Sequence, residues 1–153
     1  MPGRFIKELE AGKSKDQWEK AINNPYISNC LLWVNDEAAG FITTGPVRSS
    51  ETADCEFQRM YLLKKFQGLG LGRIMMHKAA KTELSKGSKS MVVRVLAENT
   101  AFKLYEKYGA EFLRQYTITL GSKEVLEYVY RWEDISLLFN NTAPSKEIPA
   151  HNL

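Results

Sequence analysis

Gln67-Gly68-Leu69-Gly70-Leu71-Gly72-Arg73 is the stretch on which the fold of this chain depends. The preceding residues, 57–63, are predicted to form a strand, and a helical pattern with apolar positions 71, 74, 75, 79 and 84 follows. A glycine-rich turn between a strand and a helix presents free backbone N–H groups to an anion, and the helix dipole adds positive charge there. Glycine allows the sharp bend and the close approach of a phosphate. The stretch therefore predicts a seat for a pyrophosphate.

The spacing of the glycines distinguishes between the known phosphate-binding patterns. A P-loop needs Lys and then Ser or Thr after its last glycine, whereas Gly72 is followed by Arg73 and Ile74. A dinucleotide fingerprint needs Gly-x-Gly-x-x-Gly, and the spacing here is Gly-x-Gly-x-Gly. The spacing Gln/Arg-x-x-Gly-x-Gly is met by Gln67, Gly70 and Gly72. An ordinary glycine-rich turn without a ligand stays an alternative interpretation of this short motif taken alone.

The composition indicates one globular domain. The chain has 153 residues, of which 44% are hydrophobic and 25% charged, and no apolar run approaches the roughly 20 residues that span a bilayer. The net charge of +3 comes from interspersed charges and does not favour a nucleic-acid partner. Cys30 and Cys55 lack CxxC spacing, so we expect free thiols in a reducing cytoplasm and no metal site.

The order of predicted elements indicates an α/β or α+β protein with a mixed, mostly antiparallel central sheet flanked by helices. The pattern predicts helical residues 4–24, a hairpin of strands 29–34 and 38–44, a loop 48–54, a strand 55–63 and a helix to about 86. A strand 91–96, a helix 98–109 and paired strands 111–120 and 123–132 follow. We predict one domain over residues 1–134 and a tail over 135–153, whose last dozen residues are expected to be loosely ordered.

The Gln67, Gly70 and Gly72 pattern resembles the acetyl-coenzyme A binding motif of the GNAT family of N-acetyltransferases. The segments 101–110 and 127–132 also resemble this family, and the resemblance covers most of residues 14 to 133. It implies the GNAT acyl-CoA N-acyltransferase fold, acetyl-CoA as the cosubstrate, no metal and an amine as the acceptor.

The resemblance also implies which residues bind the cofactor. The backbone of residues 60 to 62 would pair with the amides of the pantetheine arm, because an extended amide linker needs a strand edge to satisfy its hydrogen bonds. The glycine turn would hold the pyrophosphate. The implied cofactor-binding residues are Met60, Tyr61, Leu62, Gln67, Gly68, Leu69, Gly70, Leu71, Gly72, Arg73 and Asn99.

Two catalytic residues follow from the same resemblance. Tyr105 is the expected general acid, and the alternative is a tyrosine that only packs against Phe102 and Tyr108. Glu56 is the expected base, acting through a water, and the alternative is an ordinary strand carboxylate. Tyr61 can face the acceptor or simply pack. His77 is expected at the surface.

Two features depart from the family pattern. Asn99 lies six residues before Tyr105 rather than seven, so it fills the family position only from a shifted place. The strand with which the family usually begins is also missing, which would leave a sheet edge exposed. We expect the apolar residues 135–139, or a second subunit in a homodimer, to cover that edge.

The leading hypothesis is an N-acetyltransferase that transfers an acetyl group directly to a small-molecule or protein amine. A non-catalytic acyl-CoA-binding regulatory module would keep the pyrophosphate seat without a working acid and base. A nucleotide-binding α/β protein is a third interpretation. We expect no nucleic-acid or membrane partner, and a cytoplasmic location.

Overall fold

The computed structural model describes residues 23–144, which form one six-stranded sheet with helices against it. The strand order is β1-β2-β3-β4-β6-β5. All pairs are antiparallel except β3 with β4, so the prediction of a mixed, mostly antiparallel sheet flanked by helices is confirmed. The strands are β1 (Ser28–Val34), β2 (Glu37–Gly45), β3 (Cys55–Leu62), β4 (Met91–Leu96), β5 (Glu111–Leu120) and β6 (Lys123–Trp132). The helices are α1 (Leu71–Ser85), α2 (Ala101–Lys107) and α3 (Ile135–Asn141).

The first two strands form the predicted hairpin. Its turn consists of Asn35 and Asp36, whose φ angles of 49° and 67° lie in the left-handed region. Asn and Asp tolerate this region better than most residues, and two such residues in a row fit the twist of a tight hairpin. The turn thereby fixes the register that places Val34 opposite Glu37.

The parallel pair β3 and β4 separates soon after it begins. The two strands are paired only from Cys55 opposite Met91 to Phe57 opposite Val93. Beyond this point β4 pairs with β6 alone and β3 pairs with β2 alone. A wedge-shaped gap therefore opens in the middle of the sheet, between the second half of β3 and the second half of β4.

The main core lies on the face of the sheet that α1 and α2 cover. Its buried residues come from alternating positions of the strands and from the inner sides of the helices. On β3 these positions are Cys55 and Phe57, and on β4 they are Met91, Val93 and Val95. Glu56 and Arg94 therefore point to the opposite face.

The inner face of α1 differs from the face that its apolar pattern predicted. Ile74, one of the predicted apolar positions, is 42% exposed, whereas Met76 is fully buried. Glu83 is also buried, because Thr44 donates a hydrogen bond of 2.7 Å to its carboxylate and Lys86 lies 3.0 Å away. A buried carboxylate needs such partners to offset the loss of water.

The segment after β6 is a helix of the core rather than a cover for a sheet edge. Ile135 and Leu138 are fully buried in the main core, and α3 packs against α1. The phenyl ring of Phe139 stacks on the imidazole of His77 with their centroids 4.3 Å apart. Residues 135–139 therefore pack on α1 instead of covering an edge strand, and a second subunit as the cover stays a prediction. His77 is half-buried rather than at the surface. The body of the domain continues beyond residue 134.

The predicted N-terminal helical segment and the proposed absence of a first strand concern residues that lie mostly outside the described part of the chain. Within residues 23–144, β1 and β5 are the two edge strands. The predicted loop at 48–54 and the other strand and helix positions match the structure to within a few residues.

Replacing Leu138 by Ala tests the role of α3. We expect the free energy of unfolding to fall by about 2–4 kcal/mol, because the substitution removes buried methyl groups and leaves a cavity. Leu137→Ala is the matched control: its side chain is 59% exposed and the change should stay within about 0.5 kcal/mol. Denaturant titration measures both, and equal small losses would contradict a packed α3.

Candidate functional site

A groove of about 790 Å³ follows the gap between β3 and β4. The second half of β3, the glycine-rich turn, the start of α1 and the inner side of α2 enclose it. Its lining residues are Met60, Tyr61, Leu62, Gln67, Gly68, Gly70, Leu71, Gly72, Arg73, Asn99, Thr100, Ala101, Leu104, Lys107 and Tyr108.

The start of α1 presents unsatisfied backbone donors to this groove. Gly68 and Gly70 each have a φ of 79°, a conformation that a side chain would strain. Gly70 precedes the helix, no side chain caps it, and the first turn carries no acidic residue. The first N–H groups of a helix have no partner within the helix. They and the positive end of the helix dipole therefore suit an anion in the groove.

Gly72 has a different reason to be glycine. A Cβ atom at this position would lie 2.8 Å from a methyl carbon of Leu104 on α2. The absence of a side chain lets the first turn of α1 approach α2 closely, and this narrows the groove at the glycine turn.

On the side of β3 that faces the gap, backbone N–H and C=O groups have no partner strand. The N–H of Leu63 donates to the carbonyl of Ala39 on β2, and backbone groups alternate in direction along a strand. The N–H and C=O groups of Met60 and Leu62 therefore point into the gap. One of these carbonyls is occupied, because the side chain of Gln67 donates a hydrogen bond of 3.0 Å to Leu62. This bond ties the glycine turn to the end of β3.

The structure brings all but one of the residues predicted to bind a cofactor to this groove. The exception is Leu69, whose side chain is 65% exposed and does not line it. Asn99 lines the groove, and its side-chain oxygen accepts a hydrogen bond of 2.9 Å from the N–H of Ala101 at the start of α2. Arg73 also donates to the carbonyl of Thr142 after α3. Tyr61 stacks on Phe41 at 5.9 Å, so it packs as well as lining the groove.

The sequence interpretation related the segment 101–110 to the family but named none of the α2 residues that line the groove. Thr100, Ala101, Leu104, Lys107 and Tyr108 form one wall. Their spacing of three, four and seven residues is the period of one helical face, and this period was the available signal. Lys107 adds a positive charge to this wall.

Tyr105 lies behind the groove wall rather than in it. Its ring packs between Phe57 on β3, at 6.0 Å, and Trp132 on β6, at 5.8 Å. Burial raises the pKa of its hydroxyl to about 12, so the group is protonated at neutral pH. Among residues 23–144, no other residue makes a hydrogen bond with this hydroxyl.

Glu56 is fully buried on the opposite face of β3 and is held by arginines. Its Oε1 accepts from the backbone N–H and Nε of Arg48, at 2.8 and 3.3 Å, and its Oε2 accepts from Arg48 Nη2 at 2.9 Å. The Nε of Arg94 lies 3.6 Å from Oε2. Burial by itself raises the pKa of Glu56, but the hydrogen bonds and charge of Arg48, with the charge of Arg94, outweigh it and hold the pKa below the ordinary 4.5.

The two predicted catalytic residues therefore flank the same point of β3 from opposite faces, and neither lines the groove. Glu56 accepts bonds at both oxygens and has a lowered pKa, so it has little capacity to take up a further proton. Its surroundings fit a structural ion pair better than a general base. Arg48 and Arg94 carried no signal in the sequence, because their proximity to Glu56 depends on the fold.

The described residues offer no metal site and no membrane span. In the part of the chain from 23 to 144, no three His, Cys, Asp or Glu side chains stand together in a way that could hold a metal ion. No helix in that range combines the length and apolar character needed to cross a bilayer. Cys55 is buried and Cys30 half-buried, and both are free thiols.

Comparison with known proteins identifies relatives of this architecture. The sequence model of the acetyltransferase (GNAT) domain matches residues 5–121. The uncharacterized N-acetyltransferase YuaI of Bacillus subtilis (strain 168) is 27% identical over 143 residues, which are 90% of this chain and 79% of that protein.

Solved structures show the same fold at low sequence identity. A mutant spermidine/spermine N-acetyltransferase SpeG from Vibrio cholerae is 15% identical, with a TM-score of 0.70 and coverage of 92% of both chains. A GNAT family acetyltransferase from Elizabethkingia anophelis with acetyl-CoA bound is 20% identical, with a TM-score of 0.60, covering 78% of this chain and 83% of that one.

Replacing Glu56 by Gln tests whether its ion pair is structural. We expect the free energy of unfolding to fall by about 2–4 kcal/mol at pH 7, because the arginines lose a buried partner. The folded pKa of Glu56 is lowered, so its stabilisation is complete above the unfolded value and is lost as pH falls through the folded value. The difference between the two proteins should therefore shrink as the pH falls below 4.5.

The control for this substitution is Glu98→Gln, which removes an ion pair with Lys123 whose side chains are 71% and 69% exposed. Such a pair contributes little, so the change should stay within about 0.5 kcal/mol. Denaturant titrations between pH 3 and pH 7 measure both variants. A stable, folded Glu56→Gln protein that has lost turnover would restore the role of Glu56 as a base.

Proposed function

Because the chain belongs to the GNAT family of acetyltransferases, we propose that it transfers an acetyl group from acetyl-CoA to a primary amine by direct attack. Family membership makes the chain an N-acetyltransferase, and the proposal concerns its cosubstrate and acceptor. The observation that carries the proposal is the gap between β3 and β4, which opens onto the uncapped start of α1. Acetyl-CoA in the related Elizabethkingia anophelis structure supports the choice of cosubstrate.

The shape and chemistry of the groove fit the parts of coenzyme A. In this proposal the pyrophosphate binds the N–H groups between Gly68 and Arg73, and Lys107 contributes a positive charge nearby. The pantetheine amides pair with the backbone of Met60 and Leu62, as an added strand would. The thioester then lies at the closed end of the gap, close to Phe57.

The reaction needs a neutral amine and a leaving thiol. The ammonium form first loses a proton, and the amine nitrogen then forms a bond to the acetyl carbon as the carbon–sulfur bond breaks. The nitrogen loses a second proton, and the thiolate takes one up. The products are an amide, the thiol of coenzyme A and one released proton. Tyr105 is the proposed proton donor to the sulfur, since its pKa of about 12 keeps it protonated at neutral pH.

The surroundings favour loss of the amine proton without a dedicated base. An amine with an ordinary pKa near 10.4 is mostly charged at neutral pH. Arg48 and Arg94 lie beside β3 on the face opposite Tyr105, and nearby positive charges lower the pKa of an amine. The acceptor is a small molecule or a protein amine. A cytoplasmic location and a homodimer stay predictions, and sedimentation tests the second.

Replacing Gly70 by Ala tests the pyrophosphate seat. We expect the dissociation constant for coenzyme A to rise about tenfold, because a φ of 79° strains an alanine and turns the N–H groups of the turn away. Gly121→Ala is the control, since its φ of 63° lies in the β5–β6 turn outside the groove. Calorimetry should show unchanged affinity for this second variant. Equal affinities for all three proteins would contradict the seat.

Replacing Tyr105 by Phe tests the proton donor. We expect turnover to fall roughly a hundredfold, because the leaving sulfur loses its proton donor, with unchanged affinity for coenzyme A. The loss should not be larger, because a thiol with a pKa near 8.5 is already a tolerable leaving group. Tyr130→Phe is the control: its pKa is also about 12, but its hydroxyl already donates its proton to Glu106. Release of free thiol over a panel of amines measures turnover.

Unchanged turnover in Tyr105→Phe would remove Tyr105 from the mechanism. Binding of acetyl-CoA without turnover on every amine would instead favour a regulatory module that binds acyl-CoA. Thermal stabilisation by ATP or NAD but not by coenzyme A would favour a nucleotide-binding protein.

A further inference from the structure

The face of the sheet opposite α1 and α2 carries a group of arginines beside the gap. Phe57 points into the main core, so Glu56 points to this other face, together with Arg94 on the neighbouring strand β4. An extra residue at Gln58 shifts the alternation of β3, so Met60 packs against the main core and Arg59 shares the face of Glu56. We call Arg48, Arg59 and Arg94 with Glu56 and Glu127 the arginine cluster.

Both carboxylates of the cluster form ion pairs with two of its arginines, Arg48 and Arg94. Glu56 is held by Arg48 at 2.9 Å, and its other arginine neighbour is Arg94 at 3.6 Å. Glu127 on β6 lies 3.8 Å from Nη1 of Arg94. Arg48 also donates to the carbonyl of Gln58 at 3.2 Å. Three guanidinium groups thus face two carboxylates, and one positive charge is left over.

The uncompensated charge belongs to Arg59. Within the described residues 23–144, its guanidinium has no hydrogen bond and no ion pair, although its side chain is partly buried. Burial lowers the pKa of Arg59, and the charge of Arg48 lowers it further, while Glu56 acts in the opposite direction. A partly buried guanidinium next to a second one is costly unless an anion joins it.

A second donor in the cluster also lacks a partner. The Nε of Arg94 is buried and has no hydrogen bond among the described residues, because 3.6 Å from Glu56 is too long for one. Arg59 and Arg94 lie on β3 and β4, the two strands that border the gap, so both add positive charge beside it.

The proposed function gives this face a role. With the pantetheine arm in the gap, Tyr105 and α2 occupy the main-core side of the thioester, and the amine has to arrive from the side of the arginine cluster. A purely cationic amine would be repelled there. An amine that also carries an oxyanion would place that anion on Arg59 and its nitrogen towards the gap.

We propose that the acceptor is an amine whose molecule also carries an oxyanion, a carboxylate or a phosphate, and that Arg59 is the residue that selects it. The planar guanidinium offers two parallel N–H donors that match two oxygens of such a group. The inference deepens the proposed function and rests on it.

Matched acceptors test this selection. β-Alanine against propylamine, lysine against cadaverine, and 2-aminoethyl phosphate against ethylamine differ in the presence of the anion. We expect kcat/KM to be at least tenfold higher for the anionic member of a pair. The carboxylate and phosphate pairs show which oxyanion is preferred. A wild-type enzyme that prefers the members without the anion would overturn the proposal.

Substitution of Arg59 provides the second test. Arg59→Met should lower kcat/KM for the acceptors that carry an anion about ten- to a hundredfold through a higher KM. It should not lower kcat/KM for the amines that carry no anion or change the KM for acetyl-CoA. Arg59→Lys keeps the positive charge without the two parallel N–H donors, so its kcat/KM for the anionic acceptors should lie between those of the wild type and Arg59→Met. Lys78→Met removes one exposed charge on α1 and is the control for net charge.

The outcomes separate this inference from the proposed function. Calorimetric binding of coenzyme A and turnover of amines, without any effect of the anion or of Arg59, would contradict this inference alone. An equal loss on all acceptors in Arg59→Met and Arg59→Lys would assign Arg59 a structural role and also overturn it. No binding of coenzyme A to the folded wild-type protein would remove both.

Discussion

The separation of two parallel strands is the constraint on which the rest of this structure depends. β3 and β4 are paired over three positions and then diverge, so backbone groups of Met60 and Leu62 face a gap instead of a strand. Unpaired backbone groups inside a protein are costly, and a sheet with such a gap is kept only where something fills it. The groove, the position of α2 and the direction of the glycine turn all follow from this gap.

Electrostatics on the two sides of β3 differ for a physical reason. The α2 side is closed by aromatic rings around Tyr105, where burial keeps the hydroxyl protonated. The other side holds Glu56 in an ion pair with Arg48, and this pair bridges the loop after β2 and the start of β3. In the proposed reaction the α2 side supplies a proton, and the other side favours a neutral amine group and an anionic substituent. The asymmetry gives the proposed reaction a direction.

Local rules explain why so much of the fold could be predicted. Several features depend only on neighbours within a few residues. They are the alternation of the strands, the hairpin turn at Asn35–Asp36 and the end of α1 just before Gly87. The residues predicted to bind the cofactor came mostly from one continuous stretch, and the structure brings all but Leu69 to one groove. The inner face of α1 was less predictable, because the burial of Glu83 depends on Thr44, which is distant in sequence.

The sequence by itself determined the elements, their order and the glycine turn, because glycine conformations and hydrophobic periods depend only on residues close together in the chain. Only the tertiary structure decided which charges meet: Arg48, Arg94 and Glu56 come from a loop and two strands that become neighbours through the order of the sheet. The same holds for the packing of α3 on His77. Contacts of this kind depend on where whole elements dock, and no local pattern encodes that.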